Sequence, residues 1–372
     1  MNQLRKIYIK DHNDSGFSHR SGWPYATSFL KKLHTNHGIL FESFIEKKFV
    51  WGPNLGEGRN NPKSYLEPWV GVFHVPEQVP EWFNNKQIPK EIFQNKYFLE
   101  SLPFCLGFYC LSEYEKKIIK KYTDLPINVL FHPTETPEIK FSFEKFLANQ
   151  DREVIQLGTF LRKFSSIFIL PVTKIKKSAL GMGTYAFYQL KREKIKLGLH
   201  FEIKGVKIYK FLKGKKYDEV LSQNIAFMNL YDASANNAVI ECIVRNTPLL
   251  INPLPAVVEY LGPNYPFYFN TLVEAAQKAE NIDLIKETHE YLKNLKTKER
   301  LTGEAFVQSL ANSQIYHSLE IQKLGMRTIL KRISQEYLFH IFNYSKNNFR
   351  RIIKYLSPKI YYRLKKIILK EN

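Results

Sequence analysis

Apolar and polar positions along this chain follow one rhythm: short apolar runs, each leading through a polar loop into a segment of helical period. Lys6 to Lys10 (KIYIK) predicts a strand. It runs into the polar stretch DHNDSGFSHRSGWP, with Gly16 and Gly22, and then into an apolar-periodic helix around Ala26 to Leu33. A strand that ends in a glycine-containing loop before a helix opens an α/β unit. Val70 to His74 (VGVFH), Phe104 to Leu111 (FCLGFYCL) and Asn128 to Phe131 (NVLF) are further strands by composition. After the second of these, Ser112 is placed to cap a helix, with Glu113 and Glu115 in its first turn and Lys116, Lys117, Lys120 and Lys121 later, an order that suits the helix dipole.

Pro133, Pro137 and their polar neighbours read as a linker, and after Asp151 the rhythm restarts. Glu153 to Leu157 (EVIQL) predicts a strand ending at Gly158, and Phe201 to Val206 is a further candidate. The clearest unit runs from Ile225 to Asn252. In it, a strand (Ile225 to Leu230) leads through YDASANN to a helix (Ala238 to Asn246), stopped by Thr247 and Pro248 before a second strand (Leu249 to Ile251). That length suits strand, crossover helix and returning parallel strand. The organisation expected is therefore two α/β halves, residues 1–148 and 149–315, and a helical tail, 316–372.

The 372 residues are 44% hydrophobic and 15% aromatic, enough for a sizeable core, which excludes disorder for most of the chain. The net charge of +20 is unevenly placed. From Ile321 onward, thirteen Lys and Arg face only Glu336 and Glu371, a net of +11, which leaves +9 for the other 320 residues. In that tail, apolar residues from Phe349 to Ile368 recur every three or four positions among the cations, the pattern of an amphipathic helix on an anionic membrane or packed on a domain. The charge is not gathered in a base-stacking or recognition module, so nucleic acid is not expected as a partner. Three cysteines, Cys105, Cys110 and Cys242, make neither a disulfide framework nor a metal-ligand pair. With no secretory h-region and no apolar run of about 18 residues, the protein reads as cytoplasmic.

In open parallel sheets, ligands gather at the carboxyl ends of strands beside helix N-termini. The loop Asp232 to Asn237 lies there. Ser234, Asn236 or Asn237 could cap the following helix and leave N–H groups for a diphosphate, with Glu241 on its first turn in reach of a sugar hydroxyl. An ordinary cap with a dipole-matched acid is the alternative. Arg162 and Lys163 are either a solvated pair or the cations that neutralise a diphosphate leaving group. The sequence contains no D-x-D triplet, so no metal is expected at the site. For a general base, Asp11 and His12 at the first strand's end, and His74 and Glu77 after another strand, are the candidates. Gly181-Met-Gly183-Thr-Tyr-Ala186 fits a dinucleotide pattern but is discounted, because KIKKSAL before it is a poor strand and no acid is suitably placed after it.

The stretch from Tyr231 to Tyr268 (YDASANNAVIECIVRNTPLLINPLPAVVEYLGPNYPFY) resembles the nucleotide-sugar-binding half of GT-B glycosyltransferases, as more loosely do QLGTFLRK, GVFHVPEQVPEW and GFYCLSEY. The resemblance implies a GT-B fold: two Rossmann-like domains facing a cleft, the first for the acceptor and the second for the donor. It implies that Glu241 holds the donor ribose, that Gly158, Arg162, Lys163, Ser234, Asn236 and Asn237 surround the diphosphate, and that Glu259 follows in the next loop. Many retaining members carry two Glu with seven residues between them; with Glu241 as the second, the first position here falls on Ala233, with Asp232 beside it as the substitute. The activity implied is metal-independent transfer from a nucleotide-sugar to a glycan or lipid-linked acceptor in surface polysaccharide synthesis, at the inner face of the membrane. A catalytically silent GT-B-like binding protein is the alternative.

Overall fold

The computed structural model describes residues 5–10, 20–51, 64–83, 85–209, 212 and 214–320. The basic tail and the candidates Asp11 and His12 lie outside the described residues. Ten strands form two separate five-stranded parallel sheets. The first holds β1 (Ile7–Ile9), β2 (Ile39–Glu42), β3 (Trp69–Val72), β4 (Cys105–Cys110) and β5 (Ile127–Val129) in that order. The second comprises β6 (Glu153–Leu157), β7 (Lys176–Leu180), β8 (Val206–Tyr209), β9 (Ile225–Met228) and β10 (Leu249–Ile251), in the order β10-β9-β6-β7-β8. Most strands are buried on both faces, which is why they read as continuous apolar runs. Only β8, at a sheet edge, exposes its middle residues.

Three elements differ from expectation. The strand β2 (ILFE) follows Gly38 too closely to stand apart from the helical pattern around it; a Cβ on Gly38 would lie 2.4 Å from the Ile7 carbonyl carbon, so glycine permits the β1–β2 approach. The lysine-rich KKSAL is a true strand, β7, whose first residues lie exposed where the strand begins. The last strand before Gly214 is Val206–Tyr209, later than the expected Phe201 to Val206.

The two faces of the first sheet carry different cores. On one, Trp69, Phe73, Phe98 and Phe108 interlock edge to face. On the other, Ile7, Ile9, Phe41 and Val70 meet residues from far down the chain: Phe306, Leu310, Ile315 and Tyr316. The chain leaves the second domain and returns in the helices Gly303–Ala311 and Gln314–Ser318 to cover this face. Thr302 caps the first of them by accepting from Ala305 N at 3.1 Å, and Ser313 caps the second by accepting from Tyr316 N. Tyr109 Oη meets Ser313 Oγ at 2.9 Å, and Ile315 N donates to Asn128 Oδ1 at 3.1 Å, so sheet and returning helices share buried polar contacts as well as apolar area.

Gly303 sits against the Trp23–Leu30 helix so tightly that an added Cβ would fall 2.4–2.5 Å from three Phe29 ring carbons. Gly303→Ala is expected to destabilise the protein by about 1–3 kcal/mol, the range for overpacking a filled site, and chemical denaturation measures it. An unchanged midpoint would mean that this helix is not seated on the first domain.

Candidate functional site

In the second sheet, chain order reverses between β6 and β9, which are neighbours. A parallel sheet opens a crevice at such a point, and the loops leaving the two strands form its walls. The first sheet has no reversal, so its strand ends supply an opposing surface without a crevice of their own.

Two backbone hydrogen bonds pin the loop after β6 to the end of β9: Lys163 N to Asn229 O (2.8 Å) and Tyr231 N to Leu161 O (3.0 Å). Gly158 turns at φ +73°, and Leu161 adopts φ +57°, an unusual conformation for a leucine and one that marks a constrained turn. Folded inside it is Arg162, which is 4% exposed. Its Nε donates to Leu157 O (2.8 Å), Nη1 to Phe160 O (2.6 Å) and Nη2 to Asn236 Oδ1 (3.2 Å). A Cβ on Gly158 would lie 2.7 Å from Nη2, so glycine is required there by both conformation and space. No carboxylate among the described residues pairs with this guanidinium, and burial pulls its pKa down to about 10. Lys163 is half-buried with its ammonium 5.5 Å from the Tyr231 ring centroid, and desolvation lowers its pKa.

Of the three possible caps, Asn236 is the one used: its side chain accepts from Ala238 N at 3.0 Å and opens the helix Asn237–Arg245. Asn237 is exposed. Asn246 ends the helix in the left-handed conformation at φ +58°, before Thr247 and Pro248 are reached. Glu241 lies one turn deeper than expected and is buried. There Oε1 accepts from Ser21 Oγ of the first domain at 2.8 Å, and Oε2 lies 3.4 Å from Arg245 Nη1. Glu259 lies on the helix Pro255–Leu261 instead of in a loop, and accepts from the backbone N–H groups of Glu113 and Tyr114, each at 2.7 Å.

The other candidates meet across the cleft. Asp232 is buried and accepts from Gln78 N (2.8 Å) and Tyr114 Oη (3.1 Å), both in the first domain, and from Ala233 N (2.8 Å). Ser234 Oγ donates to His74 O. The His74 ring lies between Trp23 and Phe44, with centroids at 5.0 and 4.1 Å. Nε2 faces Ser43 O (2.9 Å), and the Trp23 indole N–H lies 3.1 Å from Nε2 and 3.3 Å from Nδ1; desolvation holds the ring's pKa down to about 3. Glu77 stands apart, accepting from Tyr122 Oη at 2.7 Å.

Several contributors carried little signal in the sequence. His132 is buried beside Trp23; one ring nitrogen meets Ser21 O, Nδ1 has no partner, and burial lowers its pKa to about 4. It follows β5 in LFHPT as His74 follows β3 in VFHVP, and that parallel could have marked it. Arg245 is fully buried, with Nη2 at 2.7 Å and Nε at 3.0 Å from Asp218 Oδ1, and Arg20 of the first domain reaches the other Asp218 oxygen. No local pattern announces that set.

No protein-family model matches the chain, and no curated protein matches its sequence. Among solved structures, Anabaena HepE in complex with UDP and glucose is similar over 83% of this chain and 98% of its own, at 10% identity and a TM-score of 0.53. Sucrose-phosphate synthase from Thermosynechococcus elongatus is similar over 75% of this chain and 73% of its own, at 11% identity and a TM-score of 0.54. A UDP-forming α,α-trehalose-phosphate synthase from Burkholderia xenovorans covers 80% and 78%, at 10% identity and a TM-score of 0.50. The chain has the GT-B fold, with its two parallel-sheet domains facing one cleft.

The turn that carries His74 into the cleft is held by Glu46, whose Oε1 accepts from His74 N (2.7 Å) and Val75 N (2.9 Å). Glu46 is fully buried, its other oxygen has no partner, and burial raises its pKa to about 7. Between its ordinary value of 4.5 and about 7, the native state binds this proton more tightly than the unfolded chain, so the group erodes stability as pH rises through that window. Glu46→Gln keeps an acceptor for both N–H groups and removes the titration. Its stability relative to the wild type is expected to improve by up to about 3 kcal/mol from pH 4.5 to 7 and then level off. Urea midpoints across that range test this; a constant difference between the two proteins would refute it.

Proposed function

We propose that the protein is a glycosyltransferase, moving a sugar from a nucleotide-sugar bound by the second domain to a hydroxyl of a glycan or lipid-linked acceptor held by the first. The observation that carries this reading is Arg162. A guanidinium buried without a counter-ion is costly unless an anion completes it. It lies where the chain reverses in the sheet, beside Gly158 and the Asn236-capped end of a nine-residue helix, and such an end favours negative charge. A diphosphate fits all three. Held there, the cation and the helix amides would stabilise the charge that develops on the nucleoside diphosphate as the glycosidic bond breaks.

Glu241 is the group assigned to the donor ribose, and in the described conformation Ser21 occupies it. Donor binding then exchanges the serine hydroxyl for a ribose hydroxyl. The absence of a D-x-D triplet supports transfer without a divalent ion. A role at the inner membrane face in surface polysaccharide synthesis rests on the amphipathic basic tail as sequence. A second reading, binding without turnover, is favoured by Ala233 and by the engagement of Asp232, the carboxylate assigned to the donor sugar, with Gln78 and Tyr114.

Thermal shift against UDP, GDP, CMP and their sugar conjugates tests the reading, since a ligand that binds only the native state raises the midpoint by mass action. Glu241→Gln is expected to weaken the nucleotide by about 1.5–3 kcal/mol, the worth of a charged hydrogen bond, and Ser21→Ala to tighten it by removing a competitor. Sugar release or transfer that persists in EDTA supports the metal-independent enzyme; binding with no turnover against any acceptor pool supports the silent protein. Failure of every nucleotide to bind would overturn both.

A further inference from the structure

The helix Thr184–Lys196, which follows β7, presents an outer face unlike the others. Ala186, Gln189, Leu190 and Glu193 turn inward. Tyr185, Tyr188, Arg192 and Ile195 recur at steps of three and four residues, which places them on one stripe directed away from the core. Tyr188 is 58% exposed and Ile195 69%, and just beyond the helix Leu197 and Ile203 are exposed as well. Large apolar side chains this open are ordinary when scattered and informative when contiguous.

The charges on this helix are equally one-sided. It carries Lys191, Arg192, Lys194 and Lys196 against a single acid, Glu193, whose carboxylate is turned inward onto Ser165 Oγ at 2.6 Å. Exposed Lys191 and Lys196 therefore flank an aromatic and aliphatic stripe with no carboxylate on the helix's outer face; beyond the helix, the exposed Glu202 beside Ile203 is paired with Lys204. Aromatic rings, a branched aliphatic side chain and flanking lysines match a bilayer interface, where the rings and Ile195 enter the headgroup boundary and the cations meet anionic lipid. The placement has a use. The helix starts at Gly183, and a Cβ on Gly181 would lie 3.9 Å from Gly158 Cα, so the stripe begins beside the Arg162 loop at the mouth of the cleft.

The geometry points to this face of the second domain as a docking surface for an anionic membrane, separate from the basic tail. It holds the cleft opening at the lipid surface, within reach of a lipid-linked acceptor. The docking does not depend on glycosyl transfer, and the experiment reads binding alone.

Flotation of the full chain with vesicles of phosphatidylcholine, with and without phosphatidylglycerol, tests it. The wild type is expected to bind the anionic vesicles and to lose binding as salt rises. Paired Tyr188→Ser and Ile195→Ser, and paired Lys191→Glu and Lys196→Glu, are each expected to reduce partitioning, the latter by about fivefold or more per reversed cation. All four side chains are exposed, so thermal midpoints should not move. Variants that float like the wild type, or a wild type that ignores anionic vesicles, would overturn the proposal. So would a loss of self-association in the variants with vesicle binding intact, because the face would then join two copies of the chain.

Discussion

The cleft depends on one buried cation being satisfied. Arg245 has no exposure and takes both Asp218 and Glu241 as partners, and each of these carboxylates has an oxygen left to fill. Both oxygens are filled from the other domain, Asp218 by Arg20 and Glu241 by Ser21. Removing one member would strand a charge inside the protein, which is far more costly than the pair is worth. The two domains are thereby held in register at the point where Glu241 must stand, and His132 adds to this by binding the carbonyl of Ser21.

Burial acts on the ionisable groups of both sides of the cleft. On the first domain, burial pushes Glu46 and Glu115 toward their neutral forms and His74 and His132 likewise, while Arg20 stays a cation between Asp218 and Glu135. On the second, Arg162 stays a cation because backbone carbonyls and an amide oxygen solvate it. Buried in its loop, that charge acts through a low dielectric, where it is worth more than in water. The arrangement concentrates recognition on whatever anion enters.

Much of the fold was legible because buried parallel strands read as apolar runs, and the Ile225 to Asn252 unit was plain because a polar loop with capping residue types separates its first strand from its helix and a short apolar run follows. What was not legible is the geometry that joins distant positions. Ser21 and Glu241 are 220 residues apart, and Gln78 and Asp232 154 apart. No periodicity reports such pairs. The same limit hid the roles of Arg162 and Asp232. Their residue types suggested a diphosphate and a sugar, while only the folded chain places one under backbone carbonyls and turns the other toward the first domain. Strand β7 reads as a poor strand because Lys176 and Lys177 stand at its start, where the side chains reach solvent or the carbonyls of Phe168 and Leu170.

The return of the Gly303–Ala311 and Gln314–Ser318 helices to the first sheet also bears on the order in which the protein forms during synthesis. Chains emerge from the ribosome N-terminus first, and domains generally fold as they appear. Here the first-made domain covers Ile7, Ile9, Phe41 and Val70 only in part, with Trp23, Ala26 and Leu30, until the helices carrying Phe306, Leu310 and Ile315 have been made. The second domain, made later, has its sheet complete by Ile251 and its helical cover soon after. The half synthesised first is thus the half completed last, and the part of its sheet face that those helices cover is open to chaperones and proteases for most of translation.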